Sequence, residues 1–513
     1  MSSYYEKKSK DHTKEYWIIG IIIALVVAAL LIWHSGLFQK NMTAAAVGDQ
    51  KVSVAEMDYY YYMTANNTIS TANMYAEYGI SSGYDPKLSP QEQIYDKDKG
   101  TTYADYFRQT AMTNLQEVYL LTEQAKTANY QMSEKGKAEI ESNLSQLAMY
   151  SVQNGYGESA YLKLLYGPYM DKNLFVRLLG DTILASEYAT QRAEEFHYTD
   201  DELNAYYKEH SAELDTYNYR FCNINAKTEP KTDAEGNTVE ATPEETAAAL
   251  AVAEQNANAM VARLKQGASF NSVAKEFAAE QEKESFNDAE YNHKTESLGS
   301  ELSAAPYGAW LMEPGRKANE VASVQNAESG YCVVQYIGRT QRNDTYATMD
   351  IRNILIKAET DPTTATEEKP ATSTQAQLDT ARKAADDLLA QWKAGDATAE
   401  SFAELAKTNS KDTNAAEGGI MTKVARNTMS AACNNWIFTT GRALKSAEVV
   451  ESTDASGAVN GYQILYLENN GLPRWKAGAN DALASKAYED WFTALKDAAP
   501  VVEWTGTKYV GRT

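Results

Sequence analysis

The spacing of hydrophobic and polar positions changes several times along the chain, and each change marks an element. Residues 17–33 carry no charge and are bounded by Trp17 and Trp33. At 1.5 Å per residue they would extend about 25 Å as a helix, at the short end for crossing a hydrocarbon core. Residues 17–38, with the flanking aromatics, are therefore expected to form a transmembrane anchor. A short alternation over 46–56 predicts a strand pair, with Ser53 capping a helix that opens on Glu56. Helical spacing then dominates to about residue 213, notably over 106–129, 133–150 and 172–197, with a Gly/Pro/Asp/Ser-rich loop at 81–99. Thr199 and Glu202 form a capping-box signature for the helix through Tyr206 and Tyr207.

From about Tyr217 the pattern becomes strand, helix, helix, loop, strand, and the unit occurs twice. In the first copy a strand over 217–225 leads through a polar insert (227–242) to a helix stopped at Gly267, and a second helix covers 270–279. Trp310…Gly315-Arg316 and a strand opening on Gly330-Tyr331 follow. The second copy repeats the order with a strand over 349–357, an insert (359–374), a helix stop at Gly395 and a helix over 399–407. Trp436…Gly441-Arg442 and Gly461-Tyr462 complete it. An amphipathic helix over 481–497 and a strand-like tail end the pattern. The expected fold class is thus α+β multidomain: a transmembrane helix, an all-α domain, two α+β modules and a C-terminal helix. The boundaries are a tail at 1–16, the anchor at 17–38, a helical domain at 44–213, modules at 215–342 and 346–470, and a closing segment at 471–513.

Charge orients this arrangement. Lys7, Lys8, Lys10 and Lys14 precede the apolar run and only Lys40 follows it closely, so the positive-inside rule keeps 1–16 in the cytoplasm and the bulk outside. A cleaved signal peptide is the competing reading. His34-Ser35-Gly36 is a poor cleavage site, although the Thr43–Ala46 stretch is a tolerable one. The formal net charge of −22 over 513 residues removes the basic field that phosphate backbones require, so no nucleic-acid partner is expected. Three scattered cysteines and five histidines give no metal spacing and no disulfide framework, and no cofactor motif is present. Tyrosine outnumbers phenylalanine 35 to 11, which favours rings that pack while the hydroxyl stays hydrogen-bonded. Consecutive tyrosines at 59–62 point all around a helix and read as packing residues, with a groove for unfolded segments as the alternative. Ser272 and Lys275 match an acyl-enzyme pattern by chance, and His197 and His210 lack a ligand partner at helical spacing.

The second copy carries Arg352-Asn353-Ile354-Leu355, Phe402, Ser410-Lys-Asp412…Gly418-Gly419, Arg426-Asn-Thr-Met429…Phe438 and Gly461-Tyr462-Gln463. In this order the segments resemble the parvulin-type (PpiC) peptidyl-prolyl isomerases. With the preceding helical region, the chain is similar to the PrsA/SurA-type extracytoplasmic foldases, which implies that the helical region is chaperone-like. The resemblance implies a noncovalent reaction, in which a cleft holds the proline ring while polar groups favour the twisted amide over a barrier of about 18–20 kcal/mol. It places Asp412, Asn353 and Gln463 in the polar cluster, Asn353 and Gln463 standing where the family has histidines. Met429, Phe438 and Cys433 are placed at the substrate pocket, Cys433 where the family has phenylalanine. In the first copy the histidine positions hold Phe221 and Cys332. The implied function is a membrane-anchored foldase for unfolded or partly folded exported polypeptides, held by residues 17–33, with isomerase activity weak or lost. An active isomerase using the second module and a non-catalytic cell-surface scaffold are the alternatives.

Overall fold

The computed structural model describes residues 38–77, 82–228, 231–232, 238–239, 241–327, 329–365, 371–454 and 457–512. The expected cytoplasmic tail and the apolar run 17–33 lie outside them. Among the described residues no helix is long and apolar enough to cross a membrane. The chain divides into two compact units, residues Met1–His197 with Ala484–Thr513, and Tyr198–Leu483.

In the first unit the strand Thr43–Val47 lies between Gln50–Ser53 and Val501–Glu503, antiparallel to both. The expectation of an all-α domain is corrected by this sheet, whose third strand comes from the chain's last residues. Ser53 caps the helix Val54–Glu77 reciprocally: Glu56 N donates to Ser53 Oγ, and Ser53 N donates to Glu56 Oε2 at 2.7 Å. That helix carries the tyrosine run, and Tyr59, Tyr60 and Tyr61 are buried against Phe107, Phe175 and Tyr166, as packing residues should be. The helices Tyr103–Thr127, Glu134–Gln153, Glu158–Tyr166 and Lys172–Glu194 complete the bundle. Phe492, from the last turns of the helix Arg474–Ala498, packs with Leu121, Ala125, Ala185 and Tyr188. Gln116 Nε2 donates to the carbonyls of Lys496 and Ala499 at the end of that helix.

The second unit holds two four-stranded sheets of one topology. In each, two central antiparallel strands are flanked by two edge strands: Thr216–Asn225 and Gly330–Thr340 between His293–Leu298 and Val321–Asn326, then Ala347–Lys357 and Val459–Pro473 between Ile420–Val424 and Ala447–Thr453. A long and a shorter helix follow the first central strand in both copies, Pro243–Lys265 with Phe270–Phe277 and Gln375–Ala394 with Ala399–Asn409. They bury one sheet face, through Cys222, Ile224 and Val333 in the first copy and Ile354, Ile464 and Tyr466 in the second. The other face receives the short helices Gly308–Met312 and Ala431–Ile437.

The recurring motifs have local causes. Arg316 Nε donates to Trp310 O at 2.6 Å with its guanidinium 3.7 Å from the indole centre; Arg442 repeats this on Trp436 at 2.5 and 4.3 Å. Both clasps join hydrogen bonding to cation–π attraction across six residues. The glycines that open the Gly-Tyr strands allow close approach, since a Cβ would lie 2.2 Å from Ile224 O at Gly330 and 2.4 Å from Ile356 O at Gly461. The helix Asp200–Glu209, expected within the helical domain, groups with the second unit, where Leu203 and Leu214 pack on Trp475.

Candidate functional site

The site grows from the two central strands of the second module. Asn353 pairs with Leu465 and Leu355 with Gln463, so the Asn353 and Gln463 side chains share one sheet face as diagonal neighbours. The loop after the helix Ala399–Asn409 is tied to this strand by Ser410, whose Oγ accepts from the backbone N–H of Leu355 and of Asp412 at 3.1 and 3.2 Å. Asp412 is thereby held over the sheet, where its Oδ2 accepts from Asn353 Nδ2 at 2.7 Å. Asn414 Nδ2 donates to Asn353 Oδ1 at 2.9 Å. Asn353 is only 1% exposed, so these contacts engage both ends of a buried amide. Replacing Asp412 by alanine leaves Asn353 Nδ2 without its acceptor, and denaturant unfolding is expected to show a loss of about 1–3 kcal/mol.

The second histidine position is also satisfied by an amide. The Cys433 thiol donates to Gln463 Oε1 at 3.4 Å, and burial pushes that thiol's pKa up, which keeps it a donor. Cys433 is 0% exposed, so it supports the cleft from below and provides none of its wall. Phe438, 8% exposed, belongs to the same apolar cluster with Ile351, Ile437, Leu465 and Leu467, while Met429 lies half-buried against it. The structure thus places the six expected residues around one face of the sheet, as two separate hydrogen-bonded pairs (Asn353 with Asp412, Gln463 with Cys433) and an apolar wall (Met429, Phe438).

The first module differs at the corresponding positions. Phe221 stands in place of Asn353, Cys332 in place of Gln463, and Tyr307, three residues before its clasp tryptophan, in place of Cys433. The Tyr307 ring centre lies 5.4 Å from that of Tyr219 and 5.7 Å from that of Phe221. Burial raises the Tyr307 hydroxyl pKa, and it pushes the Cys332 thiol up to about 12. Packed rings, two of them joined by a hydrogen bond between the Tyr219 and Tyr307 hydroxyls, therefore replace the amide–carboxylate cluster.

The residue missed in the sequence is Asn414. Its signal was its place two positions after Asp412, in a segment whose polar side chains turn back onto the sheet. Arg352 was quoted only as part of a motif; its Nη1 donates to Gly418 O at 3.1 Å and its Nε lies 2.8 Å from Glu468. The acyl-enzyme pattern dissolves, because Lys275 Nζ is engaged by Asn287 and Glu284. His210 stacks on Tyr206 and meets Glu213, and His197 is exposed. Among the described residues no group of His, Cys, Asp and Glu is placed to hold a metal ion.

The rotamase family model, a PPIC-type PPIASE domain, matches residues 354–469. Two of the similar solved structures are PrsA proteins. The chain is 16% identical to PrsA from Bacillus subtilis, covering 49% of this chain and 79% of that one, with a TM-score of 0.16. It is 15% identical to the foldase protein PrsA from Streptococcus pneumoniae, covering 49% and 80%, with a TM-score of 0.21. No curated protein matches. The matched segment contains every residue of the cluster save Asn353, which immediately precedes it, so the similarity to the PPIC-type PPIASE domain lies in the second module.

Proposed function

We propose that the chain is an extracytoplasmic foldase, anchored in the membrane by residues 17–33, which binds unfolded or partly folded exported polypeptides. Its second module takes proline-containing segments between Met429 and Phe438 on one side and the Asn353–Asp412 pair on the other. The observation that carries this reading is the hydrogen-bonded cluster Asn414–Asn353–Asp412, in which Asn414 and Asp412 lie within the matched segment and Asn353 immediately precedes it. Prolyl isomerisation there is weak. Amides reproduce the hydrogen bonds of the family's imidazoles but neither titrate near neutrality nor stabilise a developing charge by protonation. The first module binds without catalysis.

The test is a paired assay on the full chain. Slow cis/trans exchange of a proline peptide should be accelerated only modestly, and Met429→Ala should remove most of that acceleration. Aggregation of an unfolded client should be suppressed by both proteins alike. A chain that neither speeds exchange nor suppresses aggregation, yet binds one folded partner tightly, would establish the scaffold reading instead. For the anchor, protease added to intact cells should digest the bulk of the chain; full protection would overturn the orientation.

A further inference from the structure

Within the unit Tyr198–Leu483 the two modules meet at one carboxylate. Glu296 lies on the edge strand His293–Leu298 of the first module, where pairing with Thr216–Asn225 slips between Tyr217 and Tyr219. Its φ is 55°, a left-handed conformation uncommon for a residue with a Cβ, and Asn218 Oδ1 holds its N–H at 2.7 Å. Glu296 Oε1 accepts from Asn343 Nδ2 at 3.3 Å and pairs with Arg426 Nη1 at 3.5 Å, while Oε2 accepts from Asn427 Nδ2 at 3.2 Å. Its backbone carbonyl accepts from Arg474, whose guanidinium also holds Glu301.

On the receiving side, Arg426 and Asn427 open the segment that ends in Met429. Asn427 N donates to Asn434 Oδ1 at 2.6 Å, and the buried Asn434 sits on the helix Ala431–Ile437 that carries Cys433. The Arg426 guanidinium lies 4.2 Å from the centre of the Tyr346 ring, and Tyr346 meets Phe438 edge-on at 6.1 Å. Two routes thus run from Glu296 to the apolar wall, one through Asn427 to the Met429 loop and one through Arg426 and Tyr346 to Phe438. A lone, partly exposed ion pair is worth little, but here three side chains share one largely buried carboxylate.

We propose that Glu296 is a positioning residue for the second module's cleft: through it the first module, which lacks the polar cluster, holds the 426–429 lip in the conformation that receives the substrate. This rests on the reading of that cleft as a proline-peptide site. Its test is made on the full chain with Glu296→Ala and Glu296→Gln, read by amide hydrogen exchange and by peptide kinetics. Glu296→Ala should speed exchange at 425–430 about tenfold, leave the central strand around Ile464 unchanged, and raise KM for a proline peptide several-fold with kcat nearly constant. Glu296→Gln, which retains a carbonyl acceptor for Asn427, should recover part of both effects. Unchanged exchange at 425–430 in Glu296→Ala, or faster exchange throughout the second module, overturns the proposal. A wild-type chain that binds no proline peptide refutes the site reading instead, and the exchange data still decide whether Glu296 holds the lip.

Discussion

Gly419→Ala is expected to dismantle the cleft of the second module. Gly419 has a φ of +70°, and a Cβ there would lie 2.1 Å from the carbonyl oxygen of Asn353, the residue at the centre of the polar cluster. Asn353 N donates to Gly419 O at 2.9 Å, so the two backbones are already locked together and neither can retreat without breaking that bond. The left-handed conformation alone costs a Cβ-bearing residue roughly 1–2 kcal/mol. The clash is with backbone, which has no rotamer to change, and a loss of about 3 kcal/mol or more in denaturant unfolding is expected. Gly441→Ala separates the two contributions, because Gly441 has a φ of +79° but nothing within 4 Å of the added carbon. It should cost only about 1–2 kcal/mol. Equal losses in the two variants would mean that the contact with Asn353 is unimportant.

Asp58→Asn is expected to change how stability depends on pH. Asp58 lies on the helix Val54–Glu77 and is 1% exposed; its Oδ1 accepts from Gly511 N at 2.9 Å, and its Oδ2 has no hydrogen-bond partner. Burial pushes the carboxyl pKa up to about 7, against the smaller opposing pull of the Gly511 N–H. Below the ordinary value of 3.8, folded and unfolded chains are both protonated and the group contributes nothing. Between 3.8 and about 7 the unfolded chain releases its proton while the folded chain keeps it, so stability falls as pH rises. Above that window both forms are ionised and the loss is constant, on the order of 4 kcal/mol. Asparagine retains an acceptor for Gly511 and never ionises. The variant should therefore match the parent near pH 4 and exceed it by about 2–4 kcal/mol at pH 8 in thermal or urea unfolding of the first unit. A constant difference between the two proteins across this range would rule out the buried ionisation.

The duplication was legible in the sequence because its markers have strictly local causes. A Trp–Arg clasp spans six residues, and a glycine at a close strand crossing admits no substitute, so both survive as spacing. Helix ends were less legible. The helix expected from residue 106 begins at Tyr103, because Thr102 and Asp105 form a capping box that the hydrophobic spacing alone does not register. The pairing of Asp412 with Asn353 spans 59 residues and was readable only through resemblance to a family. Glu296 was invisible for a similar reason. Its partners lie up to 178 residues away, and its left-handed backbone follows from a strand slip that leaves no compositional trace. The sheet of the first unit joins strands from opposite ends of the described chain, and the sequence displayed them only as a hairpin and a separate strand-like tail, with nothing to pair the two.

That last pairing bears on biosynthesis. Thr43–Val47 is among the earliest described segments to be made, yet Val501–Glu503 can join it only after the whole unit Tyr198–Leu483 has been synthesised. The intervening unit can complete its own sheets during synthesis while the first remains open along one side. Closure of so long a loop is slow relative to local helix formation. The nascent protein must therefore protect an unpaired backbone row until residues 501–503 arrive, and truncation just before residue 501 would leave that row permanently available for intermolecular strand addition.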